Sequence, residues 1–335
     1  MRSLEWAQVW RLRLDRHHLL KPAPRRRLAD VAGDVCGVQA QVMASAEVAL
    51  GIRVAGVTRA DVADELWERR GLVKTHGIRS TLHLFPAREL PLWMAALREN
   101  RPPKRRVGPG GLPSTERERK RTQAIVEAIG EALDGRCLTR AELGREIAAR
   151  AGPWAEEKVV PSFSEMGPRW LASLGAAAAA GVLCYGPSRG NRVTFARPDQ
   201  WIGRWEEVDG RRALVEVFRR WLGAYGPANT RDFAQWFNTD QGLADDLARS
   251  LGKDVSEVDV DGWRALALTA DVARPRRLTG ANVHLLPQFD SYVIGCHPRD
   301  QLVPPELRAH LDEDRVSAPW ARRRLPACSA TGPAG

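Results

Sequence analysis

Gln39-Ala40-Gln41 is the segment whose residue types and spacing best suit chemistry. Two glutamine carbonyls that converge on one point accept both protons of a single water and leave its lone pair aimed outward as a nucleophile. An amide does not take a proton as a strong general base does, so the arrangement suits a substrate whose leaving group is already activated. A purine made cationic by alkylation is such a group, because its bond to the sugar breaks toward an oxocarbenium-like state with little help. The bland account of a Gln-x-Gln triplet is solvated surface or a helix-end hydrogen-bond pair, and spacing by itself favours it. Convergence also sets a backbone requirement: residues two apart diverge by about 200° in a helix and share a face when extended. Ahead of the triplet, Leu28, Val31, Val35, Val38 and Val42 recur at intervals of three and four, the stripe of a buried helical face. The two glutamines therefore share a pocket only where that helix is interrupted.

Other polar residues carry weaker signals. Ile78 to Phe85 alternates apolar and polar residues up to Pro86 and reads as one exposed strand. Its Arg79 and His83 are candidates for contacts to phosphate or base, against the ordinary alternatives of a salt bridge and a solvated face. His76 and His83 lie seven apart with no Cys, Asp or Glu at ligand spacing, so no metal site is expected. His17 and His18, adjacent in a basic N-terminal helix, are expected at the surface. Asp290 follows Leu285-Leu-Pro287 and precedes an apolar run read as a strand, where capping a turn is its ordinary role. Trp67, Trp170, Trp221 and Trp236 fall at apolar helical positions and are assigned to the core. Cys36, Cys137, Cys184, Cys296 and Cys328 are far apart, odd in number and without a C-x-x-C pair, which suggests neither a disulfide framework nor a zinc ribbon.

The elements that must position these residues recur. Thr58-Arg-Ala-Asp61, Thr139-Arg-Ala-Glu142 and Thr230-Arg-Asp-Phe233 are helix starts spaced 81 and 91 residues apart. In the first two, Thr suits the N-cap and the acid three residues on can reach back to its amide, a capping box; the third lacks that acid. After the first two starts come further helical stretches and then strand-like segments, the order of a winged helix. In the second repeat, Gly181 to Tyr185 and Arg192 to Phe195 are β-prone runs joined by the turn-forming Gly186 to Asn191. The resulting hairpin has a basic tip, and Arg189, Asn191 and Arg192 are candidates for entering a groove, with cations on phosphate and the amide on a base edge. Arg101 to Arg121 loses apolar periodicity and reads as a linker. The fold expected is mostly helical α+β: three tandem winged-helix units with β-hairpin wings, at 1–105, 106–205 and 206–335.

Length and charge fit this organisation. A chain of 335 residues supports two or three domains, and 44% apolar with 27% charged residues is ordinary for a globular protein. Lys and Arg exceed Asp and Glu by 51 to 41, a formal charge of +10, which points to a polyanionic partner. Only six of the cations are Lys, so base composition of the gene contributes to the excess. No stretch joins a basic start to an apolar run, and none is long enough to cross a bilayer, so a cytoplasmic protein, nucleoid-associated when bound to DNA, is expected.

From about residue 5 to about residue 300, the sequence resembles the tandem winged-helix DNA glycosylases of the azinomycin-resistance type (AlkZ-like). Val38-Gln-Ala-Gln41 is similar to that family's Q-hydrophobic-Q motif, and Arg79-Ser-Thr-Leu-His83 to its R-G-T-L-H strand. Gly181 to Gly186 and on through Phe195, Tyr225-Gly-Pro-Ala228, Leu285 to Asp290 and Tyr292-Val-Ile-Gly295 follow its pattern as well. The resemblance implies that Gln39 and Gln41 position a hydrolytic water on a concave basic surface wrapped around a DNA duplex. It implies a monofunctional, monomeric enzyme that releases alkylated purines and leaves abasic sites, unhooks interstrand crosslinks in some members, and needs neither metal nor organic cofactor. Such an activity would give self-resistance to a DNA-alkylating natural product. Two departures stand out: Ser80 replaces the usual Gly, and the chain ends on Trp320-Ala-Arg-Arg-Arg-Leu-Pro with a Gly/Ala/Pro tail, which leaves the third unit atypical and without its expected wing. The alternative reading is a non-catalytic winged-helix DNA-binding protein or regulator; a protein-docking scaffold is the third.

Overall fold

The computed structural model describes residues 1–103, 108–161, 165–273, 276–277 and 283–303. After β1 (Arg2–Leu4) and α1 (Trp6–Arg16), the chain builds α2 (Leu28–Asp34), β2 (Val38–Gln39), α3 (Met43–Arg53), α4 (Arg59–Trp67), β3 (Leu72–His76), β4 (Leu82–Pro86) and α5 (Leu90–Glu99). The strands form a sheet in the order β2-β4-β3, all antiparallel, so the last strand sits in the middle. Val31, Val35, Val38, Leu50, Val62, Leu66, Leu72 and Leu84 close a core between this sheet and α2, α3 and α4. Each such side chain stabilises by about 1.5–3 kcal/mol when fully buried. Thr58 caps α4 as expected, its hydroxyl accepting from the Asp61 amide while Asp61 accepts from the Thr58 amide.

The same order returns twice. α6 (Glu116–Ala132), β5 (Leu138–Thr139), α7 (Arg140–Ala151), the ribbon β6 (Lys158–Pro161) and β7 (Met166–Pro168), α8 (Leu174–Ala179), β8 (Cys184–Arg189) and β9 (Arg192–Ala196) give a sheet ordered β5-β9-β8 over Ile125, Ile129, Leu143, Ile147 and Trp170. α9 (Pro198–Ile202) leads to α10 (Gly210–Tyr225), α11 (Thr230–Phe237), α12 (Gln241–Ser250), β10 (Val255–Val260), β11 (Trp263–Leu268) and α13 (Ser291–Gly295). Here a single bridge at Ala228 takes the first strand's place beside β11, and β1 adds in parallel to the outer edge of β10. A third core, rich in aromatic rings, ties the first and last stretches together: Phe85 and Trp93 from one, Phe218, Trp221, Tyr225, Phe233 and Trp236 from the other.

Several expectations are corrected. Ile78 to Phe85 is not one exposed strand: Arg79 and Ser80 turn with φ of 56° and 58°, and β4 starts only at Leu82, with His83 to Pro86 buried because β4 is the central strand. The charged run from Glu116 to Arg121 is the first turn and a half of α6, capped by Thr115, so the apparent linker ends before it. The third helix start does have its box, one residue earlier: Asn229 is the cap and Asp232 the reciprocating acid. Tyr292 to Gly295 is helical rather than extended. A hairpin, β10–β11, exists in the last stretch ahead of Asp290, whereas the strand pair expected past Asp290, with Trp320 and the tail, lies outside the described residues. His17 is fully buried, edge-on to Tyr225 and Tyr292, not on the surface. Trp170, Trp221 and Trp236 are buried as expected, and the four described cysteines are free thiols.

Candidate active site

The helical stripe leading to the glutamines breaks where convergence requires it. α2 ends at Asp34, and Cys36 and Gly37 follow with φ of 59° and 95°. Gly37 has no substitute here: its backbone is left-handed, and a Cβ would come within 2.6 Å of the Phe85 ring. The chain then runs extended as β2, Val38 opposite Leu84 and Gln39 opposite His83, and the Ala40 amide donates to the Leu82 carbonyl at 2.7 Å. Val38 and Ala40 point into the core, 2% and 0% exposed, which puts Gln39 and Gln41 together on the other face. Gln39 is 8% exposed, while Gln41 is exposed and its Oε1 accepts from the Leu82 amide at 3.3 Å. That bond carries the strand ladder onto a side chain and fixes where the Gln41 carbonyl lies, with one lone pair left over.

The turn beneath β2 is held from far along the chain. Tyr225 donates its hydroxyl to the Val35 carbonyl at 2.8 Å, and Ser291 donates to the Gly37 carbonyl at 3.2 Å. Asp290 caps α13 by accepting from the Tyr292 amide and forms a two-pronged ion pair with Arg53 at 2.7 and 2.8 Å, both side chains sealed from solvent. Sequence reading reached the capping role of Asp290 but none of these partners, because a separation of 237 residues leaves no local signal.

The remaining candidates divide between this sheet and the second. His83 faces Gln39 across the ladder, stacked on Phe85, its Nδ1 against the Thr81 carbonyl at 3.0 Å. At 4% exposure it does not present a solvated strand face to a phosphate, and burial, with smaller pressure from Arg79 and His76, pushes its pKa down to about 4. Arg79 is half-buried and donates to the Trp236 carbonyl at 2.8 Å, which ties the turn before β4 to α11. In the second sheet, Asn191 and Arg192 are exposed at the hairpin tip, whereas Arg189 is engaged with Glu142 and the Cys137 carbonyl. The base of that hairpin docks on the first sheet: Thr75 donates to the Leu183 carbonyl and His76 meets the Tyr185 hydroxyl, both at 3.2 Å. Lys74 lies nearby with its ammonium 5.6 Å from the Tyr185 ring, and burial lowers its pKa.

Comparison with known proteins places the chain in a family. A family model described as DNA glycosylase AlkZ-like matches residues 32–316. An interstrand DNA cross-link repair glycosylase of Streptomyces sahachiroi is 32% identical over 317 residues, covering 91% of this chain and 81% of the relative. The solved structure of the Streptomyces sahachiroi DNA glycosylase AlkZ superposes with a TM-score of 0.76 at 28% identity, covering 92% of this chain and 82% of that one.

Proposed function

Because the chain belongs to the AlkZ-like DNA glycosylase family, enzymes that act on N-glycosyl bonds of DNA, we propose that Gln39 and Gln41 hold its hydrolytic water. The observation that carries the proposal is the extended segment after Gly37, which sets both amides on one face beside an exposed surface. The substrate is duplex DNA carrying bulky or cationic N-alkylpurines. An N7-alkylpurine leaves as a neutral base, so its departure needs little acid assistance, and two neutral acceptors suffice to aim the water at C1′. The similarity to a cross-link repair glycosylase extends the proposal to unhooking of interstrand crosslinks, an activity that would give self-resistance to a DNA-alkylating product. We take the three repeated helix-and-sheet stretches as winged-helix units at 1–105, 106–205 and 206–335, acting as a monomer. Arg79 would serve by shaping the turn before β4 rather than by contacting phosphate, and Arg192, Asn191 and Arg189 would bind DNA from the hairpin. Among the described residues no helix is long and apolar enough to cross a membrane, and we place the protein in the cytoplasm, on the nucleoid when bound.

The test is release of N7-methylguanine from duplex DNA, scored as alkali-labile abasic strands. Wild type is expected to release base and the Gln39→Ala, Gln41→Ala double variant to fall to background while still binding DNA. Equal release by both discards the catalytic assignment. Salt-dependent binding by wild type with no release leaves the DNA-binding regulator as the reading.

A further inference from the structure

We propose that His83 takes the proton of the water that Gln39 and Gln41 hold, and is thus a third catalytic residue; this rests on the glutamine reading of the site. Amides orient a water but cannot accept its proton, so the hydrolysis needs an acceptor nearby. His83 is the residue directly opposite Gln39 on the neighbouring strand, where side chains on the same face have Cβ atoms about 4.5–5.5 Å apart. Its tautomer is fixed. A carbonyl only accepts, so Nδ1 carries the hydrogen donated to Thr81, and Nε2 keeps a bare lone pair. The ring is held in place by stacking on Phe85 at 5.6 Å between centroids.

The flanking carboxylates are not available for the task. Asp290 is locked in both prongs of the Arg53 pair, and Glu89 is paired with Arg220. An imidazole titrating near pH 4 has the proton affinity of an ordinary carboxylate but carries no negative charge toward the DNA. The groups that face it are Arg79 from the turn before β4 and His76 from β3, both of which favour the neutral ring; β2 contributes no ionisable side chain, only Val38 and Gln39.

The step balances. The water oxygen bonds to C1′, the bond from C1′ to the purine nitrogen breaks with its electron pair moving into the cationic ring, and the neutral alkylpurine leaves. The proton lost by the water passes to Nε2 of His83 and from there to solvent.

Single-turnover excision of N7-methylguanine from duplex DNA tests this, with DNA affinity and thermal melting measured on the same proteins. His83→Gln keeps volume and an acceptor but cannot carry the proton, so excision is expected to drop about 100-fold with affinity unchanged within about two-fold. His83→Ala is expected to regain part of the loss when free imidazole is added. The wild-type rate is expected to stay level from about pH 8 down to about pH 5, because the base form persists throughout. Wild-type excision rates for His83→Gln, or no gain by His83→Ala on addition of imidazole while its melting and DNA affinity stay at wild-type levels, overturn the proposal. If the glutamine double variant is inactive while His83→Gln is fully active, this inference fails alone; if the glutamine double variant is itself active, the site reading fails with it.

Discussion

Asp290→Asn should cost this protein far more than the loss of one hydrogen bond. Arg53 and Asp290 are both about 1% exposed, and among the described residues the guanidinium has the two carboxylate oxygens and the Ala49 carbonyl as partners, its Nε being unmatched. At this separation the attraction between unit charges is about 4 kcal/mol with an effective dielectric of about 20. Asparagine keeps an oxygen for the Tyr292 amide, so the helix cap survives, but it leaves Arg53 as a buried cation without a counter-charge. Removing one partner of a buried pair typically costs about 3–5 kcal/mol, and the retained cap puts the expectation near the lower end. Urea unfolding followed by tryptophan fluorescence reads the loss, and glycosylase activity in parallel reads the site, because Ser291 anchors the Gly37 carbonyl two residues ahead of Gln39. A double variant, Arg53→Met with Asp290→Leu, should recover most of the stability, since an apolar pair has no ions to desolvate. If Asp290→Asn stays within about 0.5 kcal/mol of wild type, or the apolar pair is no better than the single change, the buried charge is not what the pair neutralises.

Acid should weaken the fold from about pH 6.5 downward through its buried histidines. Burial lowers His83 and His297 to about 4, so the folded protein refuses protons that the unfolded chain binds from about pH 6.5 downward. Stability is then complete above that pH and falls toward pH 4, His83 accounting for about 3 kcal/mol, and equal urea midpoints at pH 7 and pH 5 would contradict this. Ser80→Gly should stabilise by up to about 1 kcal/mol, because Ser80 sits at a φ of 58° where a side chain is strained; an unchanged or lower melting temperature refutes the strain. Arg192→Ala should reduce the slope of log K against log salt for duplex binding by about 0.9 if its guanidinium meets a phosphate, and an unaltered slope removes it from the interface.

What the sequence made legible was local. The capping boxes at Thr58 and Thr139 announce α4 and α7, since both partners lie within one turn; at Asn229 the same logic works one residue from where the Thr-Arg pattern points, because Asn is as good a cap as Thr. The glutamine triplet dictated that the helix ahead of it must stop, and the alternation of Val38 and Ala40 against Gln39 and Gln41 was already written as period two; only the paired left-handed residues at Cys36 and Gly37 say where. Burial of polar residues was not legible. His17, Arg13 and Arg53 look like the solvated basic side of helices, yet all are sealed because chain from beyond residue 220 covers them. Likewise the strand containing His83 alternates as an exposed strand does, and tertiary packing on both sides of the central strand overrides the pattern.

The placement of β4 has a further consequence for how the molecule holds its site. A strand in the middle of a three-stranded sheet cannot move without breaking two ladders, and this one carries His83 opposite Gln39 and the Leu82 amide that anchors Gln41. The sheet is in turn braced on two sides by other parts of the chain: β8 fastens to β3 through Thr75 and His76, and Tyr225 with Ser291 fastens the turn under β2. Each brace is a hydrogen bond worth about 1 kcal/mol by itself, too little to create the site but enough, in combination, to select one orientation of two flexible amides. Rotamer freedom works against the role proposed for Gln39 and Gln41, because a long side chain loses more entropy on ordering than a histidine or aspartate does. A rigid sheet built early in the chain and clamped by later residues is a direct answer to that problem, and it explains why the support for two adjacent side chains is drawn from almost the full length of the described chain.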